Sequence, residues 1–211
     1  MARKIRIEST LNRDRKKKIE KEAEKKLSGQ ELLLSQIESR FKEVTESLKT
    51  DKEKSDKHGE VFTPESIVDK MLAQFSDKDW QVTELTTFDL CSGYGQFTVR
   101  MLRKRYDLKV TDISRILSEY HLFAEIQPGS CFRLLYIFGS DIRLLIGDVT
   151  RMGELPPEAE RGIWVYSNGW KEHTEMVVAM FNKYNKGTIA ERAEAFEKKF
   201  NSLKSLCGGR E

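Results

Sequence analysis

"FDLCSGYGQF", residues 88–97, decides how the chain reads. The stretch "LTTFDL" (85–90) predicts a strand, and "TVRMLRKRY" (98–106) predicts the helix behind it. Between them, Asp89 at the strand end is followed by Gly93-Tyr94-Gly95. Glycines at a strand-to-helix turn let the backbone approach a ligand and open a helix, and such junctions are where open α/β sheets bind ligands. The spacing is Asp-x-x-x-Gly-x-Gly rather than Gly-x-Gly-x-x-Gly, which argues against a nicotinamide dinucleotide and so against an oxidoreductase.

Outward from this loop the pattern repeats. "HLFAEI" (121–126), "IRLLIGD" (142–148) and "GIWVYS" (162–167) predict three more strands. A helix is expected over 66–75, and a Pro-Gly with an apolar segment running to Phe138 separates the second strand from the third. "TIAERAEAFEKKFNSLKSL" (188–206) predicts a last helix, with Thr188 and Glu191 as a capping box. Strands alternating with helices argue for an α/β fold with a parallel, doubly wound sheet. Glu125 and Asp148 then stand, like Asp89, at strand ends on one rim of that sheet. The fourth strand meets Ser167-Asn168-Gly169-Trp170. Asn-Gly there is a hairpin signal, yet Val177, Val178, Met180 and Phe181 follow as a helix face.

The N-terminal quarter has another character. Residues 12–27 read as a charged helix, and Ser28 with Glu31 fits a capping box opening a second one. Leu34, Ile37, Phe41, Val44 and Leu48 recur at heptad spacing, a seam that packs on the body or on a twin copy. Residues 49–59 form a polar linker, so the expected division is a basic helical extension, 1–57, and a body, 58–211. Residues 1–27 hold eleven Lys/Arg against five Asp/Glu, a net of +6; the 211-residue chain nets +3, so 28–211 net −3. A basic arm on a near-neutral body is a nucleic-acid footprint.

Other classes are disfavoured. Cys91, Cys131 and Cys207 make no Cys-x-x-Cys pair, and His58, His121 and His173 show no metal spacing, so no metal is expected. Sparse cysteines suit a reducing cytoplasm, the charged N-terminus shows no signal peptide, and no run approaches ~18 apolar residues, so no membrane span is expected.

On these residues the chain resembles the class I S-adenosylmethionine-dependent DNA methyltransferases, closest to the N6-adenine enzymes of restriction-modification systems and phages. "HGEVFTP" (58–64) is similar to that family's methionine-binding segment, with Thr63 and Pro64 at the matching positions. "FDLCSGYGQF" is similar to its Asp-Pro-x-Cys-Gly-x-Gly-x-Phe loop, with Asp89, Gly93, Gly95 and Phe97 in register. "FAEIQP" (123–128) and "IGDV" (146–149) resemble its ribose- and adenine-contacting strands, which implies those roles for Glu125 and Asp148. The resemblance covers about residues 58–170 and implies S-adenosyl-L-methionine as cofactor, a Rossmann-like sheet and methyl transfer to adenine N6 in DNA.

The family's catalytic tetrapeptide follows the fourth strand and reads Asp, Asn or Ser, then Pro-Pro, then an aromatic. Ser167, Asn168, Gly169 and Trp170 occupy that place: the ends conform and the middle does not. By resemblance Ser167 and a loop carbonyl accept hydrogen bonds from the adenine amine, and Trp170 stacks on the flipped base. Only 41 residues follow Trp170, and they read as helices, where the family continues with more strands. The sheet is thus expected to stop after strand four, and a homodimer mate or larger subunit is expected to cover it. Two functions follow from the sequence: DNA adenine methylation with the basic arm on phosphates, or a methyltransferase-like interaction protein acting as a subunit or decoy in restriction, modification or phage defence.

Overall fold

A computed structural model describes residues 2–49, 63–148, 163–166 and 174–207. The chain is α/β. A long helix α1 (Ala2–Lys49) is followed by α2 (Glu65–Leu72) and α3 (Asp77–Trp80). Then come β1 (Thr87–Leu90), α4 (Gln96–Asp107), α5 (Ile113–Arg115) with a π-helical turn Ile116–Tyr120, and β2 (His121–Glu125). The remainder is α6 (Pro128–Phe138), β3 (Arg143–Gly147), β4 (Ile163–Tyr166), α7 (Thr174–Lys183) and α8 (Ile189–Cys207).

The strands pair in parallel and in sequence order, β1-β2-β3-β4. A doubly wound sheet reverses its strand order at a switch point. The described strands show no reversal, so the expected doubly wound arrangement is corrected to a sheet that grows in one direction. Right-handed crossovers in a single direction carry their helices onto one face. That face holds Phe123, Leu144 and Ile146, which join the main core with Val99 and Leu102 of α4 and Leu134 and Phe138 of α6. The Phe123 and Phe138 rings meet at 4.8 Å between centroids. Leu122, Ala124 and Leu145 form a small separate cluster on the opposite face. On that face Phe88 and Leu90 of β1, an edge strand among those described, are 54% and 58% exposed.

The expected break in the N-terminal helix is absent: α1 runs through residue 28. Ser28 Oγ donates to the Lys25 carbonyl three residues back, so it bonds inside the helix instead of capping a new one. The Thr188–Glu191 box does form: Glu191 N–H donates to Thr188 Oγ1 at 3.3 Å and Thr188 N–H to Glu191 Oε2 at 2.8 Å. Of the two partners open to the heptad seam, the body is the one it takes. Leu34, Ile37 and Val44 are buried, with Phe41 and Leu48 packed against the same core. Arg103 of α4 pairs with Glu38, and Tyr136 of α6 donates to Glu43 at 2.7 Å, fixing the helix across α4 and α6. Phe132 of α6 then packs on Phe181 of α7 and Phe196 of α8.

Leu34, Ile37 and Val44 each contribute about 1.5–3 kcal/mol by full burial. Ile37→Ala is therefore expected to lower the unfolding free energy by roughly 2–5 kcal/mol, read from urea unfolding monitored by circular dichroism.

Candidate functional site

The parallel ladder sets the carboxyl ends of β1, β2 and β3 side by side, with Leu90 paired to Ala124 and Glu125 to Ile146. Asp89, Glu125 and Asp148 therefore stand along one rim. The loop after β1 is stitched to β2: Ser92 N–H donates to the Ala124 carbonyl at 2.9 Å, and Ala124 N–H returns a bond to Ser92 Oγ at 3.0 Å. Glu125 completes the seam. Its Oε2 accepts from Gly93 N–H, and its Oε1 accepts from Ile126 and Gln127 N–H, all at 2.8 Å. Three backbone N–H groups already use this carboxylate, so a ribose would have to share it or displace the loop.

The two glycines differ. Both have left-handed φ, +53° at Gly93 and +77° at Gly95. A Cβ on Gly95 would lie 2.4 Å from the Phe138 ring and 3.1 Å from Leu134. The room that Gly95 leaves is thus filled by α6, not by a ligand. A Cβ on Gly93 would meet nothing within 4 Å, so this is the glycine that opens onto free space. Cys91 also has left-handed φ, +62°, unusual for a residue with a side chain.

Thr63 and Pro64 precede α2, and the Pro64 carbonyl accepts from Ile67 and Val68 N–H. Asp69 of α2 pairs with Arg100, Asp77 with Lys104, and the Val82 carbonyl with Arg105. These contacts advance together along α4, which puts Thr63 and Pro64 toward its loop end. Phe97 packs against the core, half-buried. Asp148 directly follows β3 and is partly buried. Ser167, Asn168, Gly169 and Trp170 lie outside the described residues. Their strand, β4, pairs with β3. At ~4.8 Å per strand, its end lies about 14 Å from that of β1.

Three residues the sequence did not flag sit under the loop. Thr98 Oγ1 donates to Asp89 Oδ2 at 2.9 Å and lies 2.8 Å from His121 Nε2. His121 Nδ1 lies 2.7 Å from Thr87 Oγ1. Gln96, the first residue of α4, is buried, and its Nε2 has no hydrogen-bond partner among the described residues. The signal for His121 was the period of two: Thr87, Asp89, His121 and Phe123 share a face once the register pairs Thr87 with His121.

Burial pushes the Asp89 carboxyl up to about 6, opposed by the Thr98 hydrogen bond and helped by the negative Glu125. Burial pulls His121 down to about 3, and Arg105 and Arg143 add to the depression. The imidazole is therefore neutral at physiological pH. Among the described residues no group of His, Cys, Asp and Glu could hold a metal, and no helix is long and apolar enough to cross a membrane. Compared with protein-family models, curated proteins and solved structures, the chain matches none.

Gly95→Ala is expected to destabilise the fold by more than about 2 kcal/mol, because it strains φ and drives a methyl into Phe138. Gly93→Ala meets only the φ penalty of about 1 kcal/mol; thermal unfolding of the two variants tests this order. A second expectation concerns pH. Asp89, with its raised pKa, contributes stability that is lost as pH rises from about 4 through 6. His121, with its lowered pKa, contributes stability that is lost as pH falls from about 6.5 toward 3. Between pH 4 and 6 the two slopes oppose. Asp89→Asn removes the first and leaves the second. Its unfolding free energy should then fall with decreasing pH about 1 kcal/mol per unit more steeply than wild type, measured by urea unfolding at pH 4, 5 and 6.

Proposed function

We propose that the chain is a nucleoside-cofactor binding domain of the class I methyltransferase kind, that it holds S-adenosylmethionine along the carboxyl rim of the sheet, and that this site serves methyl transfer to adenine N6 in DNA. The observation that carries the reading is the row of Asp89, Glu125 and Asp148 at three adjacent parallel strand ends, with the glycine loop bonded to the middle acid. A nucleoside with a cationic amino-acid tail asks for such a row. An acid at the loop faces the cation, an acid one strand over accepts from ribose hydroxyls, and a third accepts from the adenine amine. Gly93 leaves open space at the loop. When bound, the cofactor supplies an electrophilic methyl group; Ser167 and Trp170 are the proposed acceptor and stacking partner for the target base. The net +6 of residues 1–27 supports DNA as the substrate, through contacts with phosphates.

One observation favours a second reading, an interaction protein that keeps the cofactor and transfers nothing. The strand leading to Ser167 lies beside β3, about 14 Å along the rim from the glycine loop. Asn168 and Gly169 also stand where the family's prolines would stiffen the backbone. The exposed Phe88 and Leu90 on edge strand β1 suit a second copy or a larger subunit as partner.

Titration calorimetry with S-adenosylmethionine, paired with labelled-methyl transfer to unmethylated DNA, separates the readings. Binding with transfer that is lost in Trp170→Ala supports the enzyme. Binding without transfer supports the interaction protein. No heat at millimolar ligand overturns both.

A further inference from the structure

Beneath the glycine loop the side chains of four residues from β1, α4 and β2 form one unbranched hydrogen-bonded line: Asp89, Thr98, His121, Thr87. Thr98 and His121, its two inner members, are 1% and 2% exposed, so water does not complete their bonding. Each threonine hydroxyl has one proton to give, and a neutral imidazole has one N–H and one bare nitrogen. These counts fix the order of protons along the line.

With Asp89 ionised, its carboxylate only accepts. Thr98 must then give its proton to Asp89, and its oxygen is left to accept from His121. Nε2 therefore carries the imidazole proton, and the bare Nδ1 accepts from the Thr87 hydroxyl. With Asp89 protonated and donating to Thr98, every bond reverses. Thr98 donates to Nε2, the proton sits on Nδ1, and Nδ1–H donates to Thr87. No heavy atom need move, and all three bonds of the line are made in each arrangement.

We propose that Thr98 and His121 are positioning residues that convert the ionisation state of Asp89 at the glycine loop into a tautomer state of His121, read out at Thr87 where β1 begins. Burial first, and the flanking charges second, keep the histidine neutral in both states. Arg105 from α4 and Arg143 from β3 disfavour the imidazolium, while Glu125 from β2 favours the protonated form of Asp89. From α6 the loop meets Phe138 and Leu134, which carry no charge, and Arg133, whose guanidinium lies 5.2 Å from the centroid of the Tyr94 ring. The ionised carboxylate is thereby aimed by a neutral hydroxyl rather than neutralised by a cation. It remains available to a positive group on a ligand, and occupancy by such a group becomes linked to a proton.

The test is nitrogen-15 NMR of the full chain labelled at histidine. The chain has three histidines, so His58→Gln and His173→Gln identify the signal of His121. The expected result is a neutral Nε2–H tautomer at pH 7.5 and a neutral Nδ1–H tautomer at pH 5, crossing near the Asp89 titration at about 6. In Asp89→Asn the tautomer should no longer change between these pH values. Thr98→Ser should keep the switch and Thr98→Val should lose it; if the valine variant does not fold, the Asp89→Asn comparison decides. One tautomer throughout in wild type, an imidazolium at pH 5, or an unaltered switch in Asp89→Asn would overturn the proposal. S-adenosylmethionine added at pH 5.5 should return His121 to Nε2–H. This arm alone rests on the proposed cofactor, so its failure with the pH switch intact counts against that reading and not against the relay.

Discussion

The carboxylate of Glu125 governs the geometry of everything around it. It is buried at the end of β2 and takes one N–H from the glycine loop and two from the turn that leads into α6. Burying an anion is costly unless hydrogen bonds meet it, and three backbone donors do so here. One side chain thus ties the exits of β1 and β2 together. The loop can turn at Gly93, α4 can start at Gly95, and α6 can start at Pro128 in a fixed relation to each other. Proline at the first helical turn and left-handed glycine at the N-cap are the local devices, and the carboxylate sets where they meet.

Packing then limits what the loop can be. Because Gly95 faces the Phe138 ring, the helix α6 lies closer to the loop than any side chain there would permit. The same face carries the Asp89–Thr98–His121–Thr87 line, polar groups set into an apolar layer. Such a line holds only if every member is satisfied, and it adds orientation that apolar contacts cannot give. The raised pKa of Asp89 and the lowered one of His121 are two results of that burial, and they oppose each other in the stability of the fold.

The sheet's growth in one direction decides what each of its faces carries. All its described helical crossovers serve one face, and β1 is left with Phe88 and Leu90 exposed at an edge. Edge strands with exposed apolar side chains are normally covered or charged. The long helix α1 does not supply that cover, because its apolar seam is spent on α4 and α6. The exposed side chains of β1 and the glycine loop that follows it are therefore neighbours.

Local chemistry was legible in the sequence by itself. Short stretches read as strands, alternating with helical ones, marked the four described strands to within two residues at each end, and Thr188–Glu191 marked its helix start through a hydrogen bond spanning three residues. The acids at 89, 125 and 148 were placed on one rim because a parallel sheet aligns its carboxyl ends whatever the strand order. Other features rest on contacts between segments far apart in the chain, and only the tertiary structure decided them. Ser28 reads as a cap until packing across α4 and α6 holds the helix through it. Gly93 and Gly95 look alike until the ring of Phe138, 43 residues on from Gly95, distinguishes them. Strand order is invisible to periodicity, because β4 would carry the same pattern beside β1 as beside β3. His121 joins Asp89 only through the register that pairs it with Thr87, a choice set by the buried face of the whole sheet and not by any residue within it.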